Sequence, residues 1–339
     1  MPDLNFTKTD NMFIKSVEKN SITLQAGTVI RLEVSEDDIR YLEVKEDTAY
    51  NVYNIMDTGA ASLTAGKDYY IYAVAKDETK PETSEIVRSV ELKVSANSTY
   101  PTGYNANNSR KIGGFHTICR AITESNAPHA NHSLIGWNAG DILPESVWCL
   151  SHRSISGCEG QYYESRVDLW VDIYNVGTGS LTSAFGQTRL HTVTYQALSE
   201  KLGLIGKRFP TLDEFQIIAD GSNQKTSVYG SVQPNPDTTG GHNDTAGKAM
   251  CNDKGLEEGC GLQWVFAGNS PSGDGGSGWG TTDGSGAKGQ TFGTGRILLL
   301  GGSWDHGTSC GSRCVHAYNV LSAASASIGG RAVSQPLRV

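Results

Sequence analysis

The chain has 339 residues, 28 of them Lys or Arg and 36 Asp or Glu, for a net charge of −8. That charge argues against nucleic-acid backbones and anionic lipid as the main partner. A composition 37% apolar and 19% charged supports one or two ordinary cores and excludes wholesale disorder, and no run approaches a membrane span.

The first twenty residues contain no continuous apolar stretch, so no secretory signal is expected. Residues 1–110 carry 12 Lys/Arg and 17 Asp/Glu, whereas all six Trp and all seven Cys follow residue 110. This shift predicts a domain boundary near 100–112, with the polar, turn-rich SANSTYPTGYNANNSRK as the connection. Before it, GTVIRLEV (27–34), TAYNVYNIM (48–56), DYYIYAVAK (68–76) and VRSVELKVS (87–95) are rich in Val, Ile and Tyr and read as strands. They predict a small all-β sandwich, residues 1–110, serving as a spacer or assembly domain.

Residues 111–339 are mixed. VDLWVDIYNVG (167–177) alternates like a central strand, and HTVTYQALSEKLG (191–203) reads as a helix stopped by Gly203. TLDEFQIIADG (211–221) carries a Thr211/Glu214 capping box, then Leu212, Phe215, Ile218 and Ala219 on one helical face, with Gly221 ending it. Between Gly268 and Gly295 there are eleven Gly in 28 residues, a long structureless loop of the kind that is more often functional. RILLLGGSW (296–304) reads as a buried strand.

Motifs for catalysis are largely missing: no His-Glu-x-x-His, nucleophile elbow, Walker loop or EF-hand loop is present. Gly284 to Gly289 spells a dinucleotide fingerprint, but no apolar strand precedes it and no helix follows. The eight His are scattered, and no metal or other cofactor is expected. Reduced, partly buried thiols are the expected cysteine state, with Cys149/Cys158 and Cys251/Cys260 as alternative disulfide pairs. Cys310 and Cys314 form a Cys-x-x-x-Cys, read either as a redox or metal pair or as two small residues at a strand turn.

The last forty residues look unlike a core. Ser303, Asp305, Gly307 and Ser309 fall at spacing two, on one face if extended, as do Ala323, Ser325 and Ser327. Small, mixed polar side chains at these positions fit either a solvated strand face or a binding surface on a rigid frame.

Three landmarks occur in one order: KRFPTLDEF (207–215), GLQWVFAGN (261–269), and LGGSW (300–304) with IGGR (328–331). They resemble the marks of the formylglycine-generating-enzyme branch of the C-type lectin fold. AGTV (26–29), LTAGKDYYIY (63–72), PTGY (101–104), RKIGGFH (110–116), LWVDIY (169–174) and GKRFP (206–210) resemble, within that branch, the retroelement-diversified variable proteins of phage tail-fibre tips. The separate N-terminal β-prism of those proteins is not expected in this chain.

The resemblance implies an α+β chain: a C-type lectin fold domain at 111–339 preceded by the β-sandwich. It implies a non-enzymatic receptor-binding protein at the tail-fibre tip of a virion, folded in the host cytoplasm and homotrimeric, without membrane insertion. Its partner would be a host cell-surface receptor, protein or glycan. Carried across the ungapped stretch near 300–331, the variable, receptor-binding positions are Ser303, Asp305, His306, Gly307, Ser309, His316, Tyr318, Asn319, Ala323, Ser325, Ser327 and Ile328. Adenine mutagenesis of Asn-type codons yields residue types of this kind. Trp304, Gly311, Arg313, Gly329 and Arg331 are then the fixed scaffold. Alternatives are a diversified ligand-binding protein displayed by a cell or an archaeal virus, and a copper-dependent oxidase of the formylglycine-generating type using Cys310 and Cys314. A surface that tolerates replacement cannot contribute to folding, so the variable side chains are expected to be exposed.

Overall fold

The computed structural model describes residues 4–5, 14–269, 278–281, 290–292 and 295–337. The chain divides into two compact units: residues 1–118 with 139–153 and 337–339, and residues 119–138 with 154–336.

Among the described residues, the first unit is all-β. One antiparallel sheet holds Leu4–Asn5, Val29–Ser35 and Asp38–Glu43, and a second holds Ile14–Glu18, Ser21–Leu24 and Thr48–Asn51. The third runs Trp148–Cys149, Ser109–His116, Asp68–Thr79, Ile86–Ser95. Alternation buries Ile22 and Leu24 from one sheet, Ile30 and Leu32 from another, and Ile71, Ala73, Leu92 and Val94 from the third in one apolar cluster. The expected strand at 48–56 is half right. It stops at Asn51, whose side chain accepts the Tyr53 N–H and starts a 3₁₀ turn over Val52–Ile55.

Among the described residues, the second unit mixes strands with two short α-helices. Helix Tyr195–Leu204 begins at the N-cap Thr194, and helix Leu212–Ile218 begins at Thr211 with its capping box formed in both directions. Each helix leaves the expected glycine outside its end or one residue inside it: the first runs past Gly203 to Leu204, and the second stops before Gly221. Gln161–Glu164, Leu169–Asp172 and Val333–Ser334 form one sheet with Leu169–Asp172 central. A four-stranded sheet runs Val315–Val320, Arg296–Leu300, Trp264–Phe266, Ile328–Gly329. Its inner face, with Trp264, Phe266, Ile297, Leu299 and Ile328, packs on Leu198 and Leu202 of the first helix and on Phe209. Phe209, Tyr195 and Phe266 contact one another with ring centroids 5.4 to 5.7 Å apart.

All seven cysteines are free thiols, five of them buried. Most of the glycine-rich stretch, including Gly284 to Gly289, lies outside the described residues. Within it Trp279–Thr281 pairs with Gln290–Phe292 in an antiparallel ladder. Among the described residues, no helix is long and apolar enough to cross a membrane.

Candidate functional site

The site starts where the strand Arg296–Leu300 ends. Gly301 and Gly302 both take left-handed φ, +87° and +85°, and turn the chain out of the sheet. A Cβ on Gly302 would lie 2.5 Å from Cys310 Sγ, so the turn also needs glycine for space. The sequence beyond it is not extended, which corrects the spacing-two reading of Ser303 to Ser309. The His306 N–H returns to the Ser303 carbonyl at 3.0 Å, and a 3₁₀ turn over Gly307–Ser309 is closed by the Cys310 N–H on Gly307. The chain then re-enters the sheet as Val315–Val320, pairing Leu299 with His316 and Ile297 with Asn319.

Ser303 and Ile328 contradict the expectation of exposure, at 0% and 5% accessible. Ser303 is turned inward by the double-glycine turn. Ile328 pairs in parallel with Trp264, and its side chain joins the core. Ala323 is partly buried against that same core. Asp305, Ser309 and Tyr318 are exposed, and His306, Gly307, His316, Asn319, Ser325 and Ser327 are half-buried. Tyr318 is 73% exposed; the Arg296 guanidinium lies 4.5 Å from its ring centroid and donates to its carbonyl.

Trp264 ties three of these segments together. Its indole meets the His306 ring edge-on at 4.9 Å and lies 5.6 Å from the His316 ring, while the Trp264 backbone N–H donates to the Ser327 carbonyl at 2.8 Å. Ser327 Oγ and Ser325 Oγ are 3.0 Å apart, and the Ser325 carbonyl accepts from Thr192 at 2.9 Å. Trp264 was visible in the GLQWVFAGN landmark, but not its place beneath the two histidines. Arg296 carried no signal, because its role depends on the register of two strands.

The frame below is fixed mainly through backbone. Arg331 is fully buried; Nη1 donates to the carbonyls of Asp172 and Ile173 at 2.7 Å each, and Nη2 to those of Glu257 and Glu258. Burial pulls this guanidinium's pKa down from its ordinary value, against the raising effect of Glu258. Gly329 is required by space, since a Cβ there would sit 2.4 Å from the Leu190 carbonyl oxygen. A Cβ on Gly311 would lie 2.5 Å from Gln224 Oε1. Trp304 is half-buried on Val228, Met250 and Leu262. Arg313, by contrast, is exposed.

Ser303 Oγ lies 2.6 Å from Asp305 Oδ1 and 2.8 Å from His306 Nδ1, and that nitrogen is 2.7 Å from Asp305 Oδ1. This is no nucleophilic triad: serine and carboxylate share one ring nitrogen, and the serine is inaccessible. Burial works to raise the Asp305 pKa, but the Ser303 hydrogen bond and the neighbouring His306 hold it below the ordinary carboxylate value. Cys310 is buried against the Ser303 carbonyl, and burial, then Cys314 and Asp305, push its thiol up to about 12. It is a protonated, inert thiol at neutral pH. Among the described residues, no group of three or more His, Cys, Asp or Glu is placed to hold a metal ion.

A family model described as the Mtd second domain matches residues 12–149. Beyond it, the whole chain shows a distant sequence likeness. It is 25% identical to the tail fiber receptor-binding protein of Bordetella phage BPP-1, over 98% of this chain and 84% of that one. The solved major tropism determinant U1 variant superposes with a TM-score of 0.77 at 22% identity, covering 99% of this chain and 86% of the other. The I1 variant gives 0.76 at 24% identity, covering 99% and 87%. The Mtd likeness shows the fold: an α+β chain with a C-type lectin fold, as the landmark motifs led us to expect.

Proposed function

We propose that this chain is the receptor-binding protein of a phage tail fibre, and that its second unit carries the contact surface. The observation that carries the reading is a set of accessible, small or polar side chains held around Trp264 by backbone bonds and glycine turns. Asp305, His306, Gly307, Ser309, His316, Tyr318, Asn319, Ser325 and Ser327 form that surface, with Ala323 at its margin. Ser303 and Ile328 lie beneath it. Such a surface can be re-coded without disturbing the fold, which suits diversification by a retroelement. The relative from Bordetella phage, a tail fiber receptor-binding protein by description, supports the assignment.

In this reading the chain performs no catalysis and carries no metal or other cofactor. It resides at the fibre tip of the virion after folding in the host cytoplasm. The all-β region, residues 1–110, acts as spacer and assembly domain. The chain works as a homotrimer, because a single patch of small polar groups binds weakly and several copies multiply the effect through effective concentration. The partner is a host-surface protein or glycan.

The test is competitive adsorption. Purified protein added to the strain on which the phage plates reduces phage adsorption, and the Tyr318→Ala variant does not. Protein that leaves adsorption unchanged at saturating concentration refutes the assignment. Sequencing gives an independent check on diversification: a near-duplicate of the 303–328 coding segment, differing at adenines, lies beside a reverse transcriptase gene.

A further inference from the structure

Ser303 sits at a position expected to be a receptor contact, yet no receptor atom can reach it. Its side chain is instead wired to two residues that are accessible. The carboxylate of Asp305 is 43% exposed and the imidazole of His306 is 36% exposed. Both converge on the Ser303 hydroxyl, at 2.6 and 2.8 Å.

The hydrogen assignment follows from the donor inventory. Asp305, ionised at neutral pH, can only accept. The hydrogen in the 2.7 Å contact between Asp305 Oδ1 and His306 Nδ1 therefore belongs to the imidazole. Ser303 gives its own hydrogen to Asp305, and its lone pair faces the same Nδ1–H. In the neutral ring Nδ1 is thus the protonated nitrogen and Nε2 carries a bare lone pair. Among the described residues Nε2 has no protein partner. The ring cannot swing away freely, because the edge of Trp264 lies against it at 4.9 Å. The titratable groups around it are Asp305 on its own turn and His316 across the indole.

We propose that Ser303 is a positioning residue that presets the Asp305–His306 pair, so that His306 presents Nε2 as an acceptor to an O–H or N–H donor on the receptor. The proposal rests on the receptor-binding reading above. It names the chemistry read at this point of the surface: a hydroxyl, amide or ammonium hydrogen rather than a carboxylate or phosphate oxygen. It also divides the expected variable positions by role. Replacing Ser303 changes recognition indirectly, through the tautomer and orientation of His306.

The experiment uses the full-length protein labelled with ¹⁵N-histidine. Imidazole ¹⁵N shifts near neutral pH are expected to show His306 as the Nδ1–H tautomer, and Ser303→Ala is expected to move it toward the mixture of a free histidine. Fluorescent protein binding to whole cells of the plating strain is measured alongside for Ser303→Ala, His306→Phe and the double variant. The phenyl ring keeps the contact with Trp264 but offers no nitrogen. Ser303→Ala alone weakens binding about tenfold, the size of one charge-linked hydrogen bond, and has no further effect in the His306→Phe background. The proposal is overturned if Ser303→Ala costs the same in both backgrounds, or if His306 is the Nε2–H tautomer. Wild-type protein that binds no cells while the tautomer is as assigned overturns the receptor reading, and the donor-recognition proposal with it, but leaves the Ser303 hydrogen-bond assignment standing.

Discussion

Arg331→Met is the most demanding perturbation of the frame, because it changes no accessible atom. The wild-type guanidinium is fully buried and bridges two separate stretches of backbone, the Asp172 and Ile173 carbonyls on one side and those of Glu257 and Glu258 on the other. Methionine fills much of the volume but takes a donor from four buried carbonyls, of which Ile173 keeps the Glu257 N–H at 3.0 Å. Each stranded acceptor costs about 1–3 kcal/mol, and relief from burying the cation offsets part of that. Removing one partner from a buried charge network gives a net loss of about 3–5 kcal/mol. For a unit of this size each kcal/mol moves the melting temperature by about 2–4 °C, so a fall of roughly 6–20 °C is expected. Differential scanning calorimetry of the full chain reads it directly. Arg331→Lys should recover little, since one ammonium cannot span both carbonyl pairs with a planar fork. A fall of less than about 2 °C for Arg331→Met, below one kcal/mol by the same conversion, refutes the reasoning.

Glu214 supplies a pH-dependent case. Its carboxylate receives Arg208 at 2.7 and 2.8 Å and the Thr211 N–H at 2.8 Å. Burial works to raise its pKa, but these bonds hold it below the ordinary 4.5. A depressed folded value means the contribution is fully present above pH 4.5 and is lost as pH falls through the folded value. Glu214→Gln should therefore be about 1 kcal/mol less stable than wild type near neutrality, with the gap closing in acid; urea titrations at several pH values check this, and a gap that widens in acid contradicts it. Trp304→Ala should cost about 2–3 kcal/mol, less than a fully buried tryptophan because part of the residue stays accessible. Urea unfolding measures it, and a loss below about 1 kcal/mol removes Trp304 from the frame.

Much of the fold was legible because it is written in local chemistry. The Thr211/Glu214 capping box announces its helix, and the Val/Ile/Tyr alternation announces the strands at 29–35, 68–79 and 86–95. Ser109–His116 was hidden by Gly113 and Gly114, which look like loop. A Cβ on Gly113 would lie 2.5 Å from the Trp148 carbonyl oxygen, and one on Gly114 2.7 Å from the Trp148 indole nitrogen, so these glycines admit a neighbouring strand. The site residues were legible as a set but not in their individual roles. Spacing two cannot show a turn made by two left-handed glycines, and so Ser303 passed for a surface residue. Arg331 was visible as a mark, but its partners are carbonyls, which every sequence position possesses and none advertises.

In the function proposed above, the displayed side chains and the frame are energetically separate. In one triple variant, Tyr318→Ala with Asn319→Ala and Ser325→Ala, melting temperature and binding to host cells are measured on the same preparation. We expect the melting temperature to stay within about 2 °C of wild type, as for accessible positions, while cell binding is lost. A fall of more than about 6 °C, or unaltered binding, contradicts the claim.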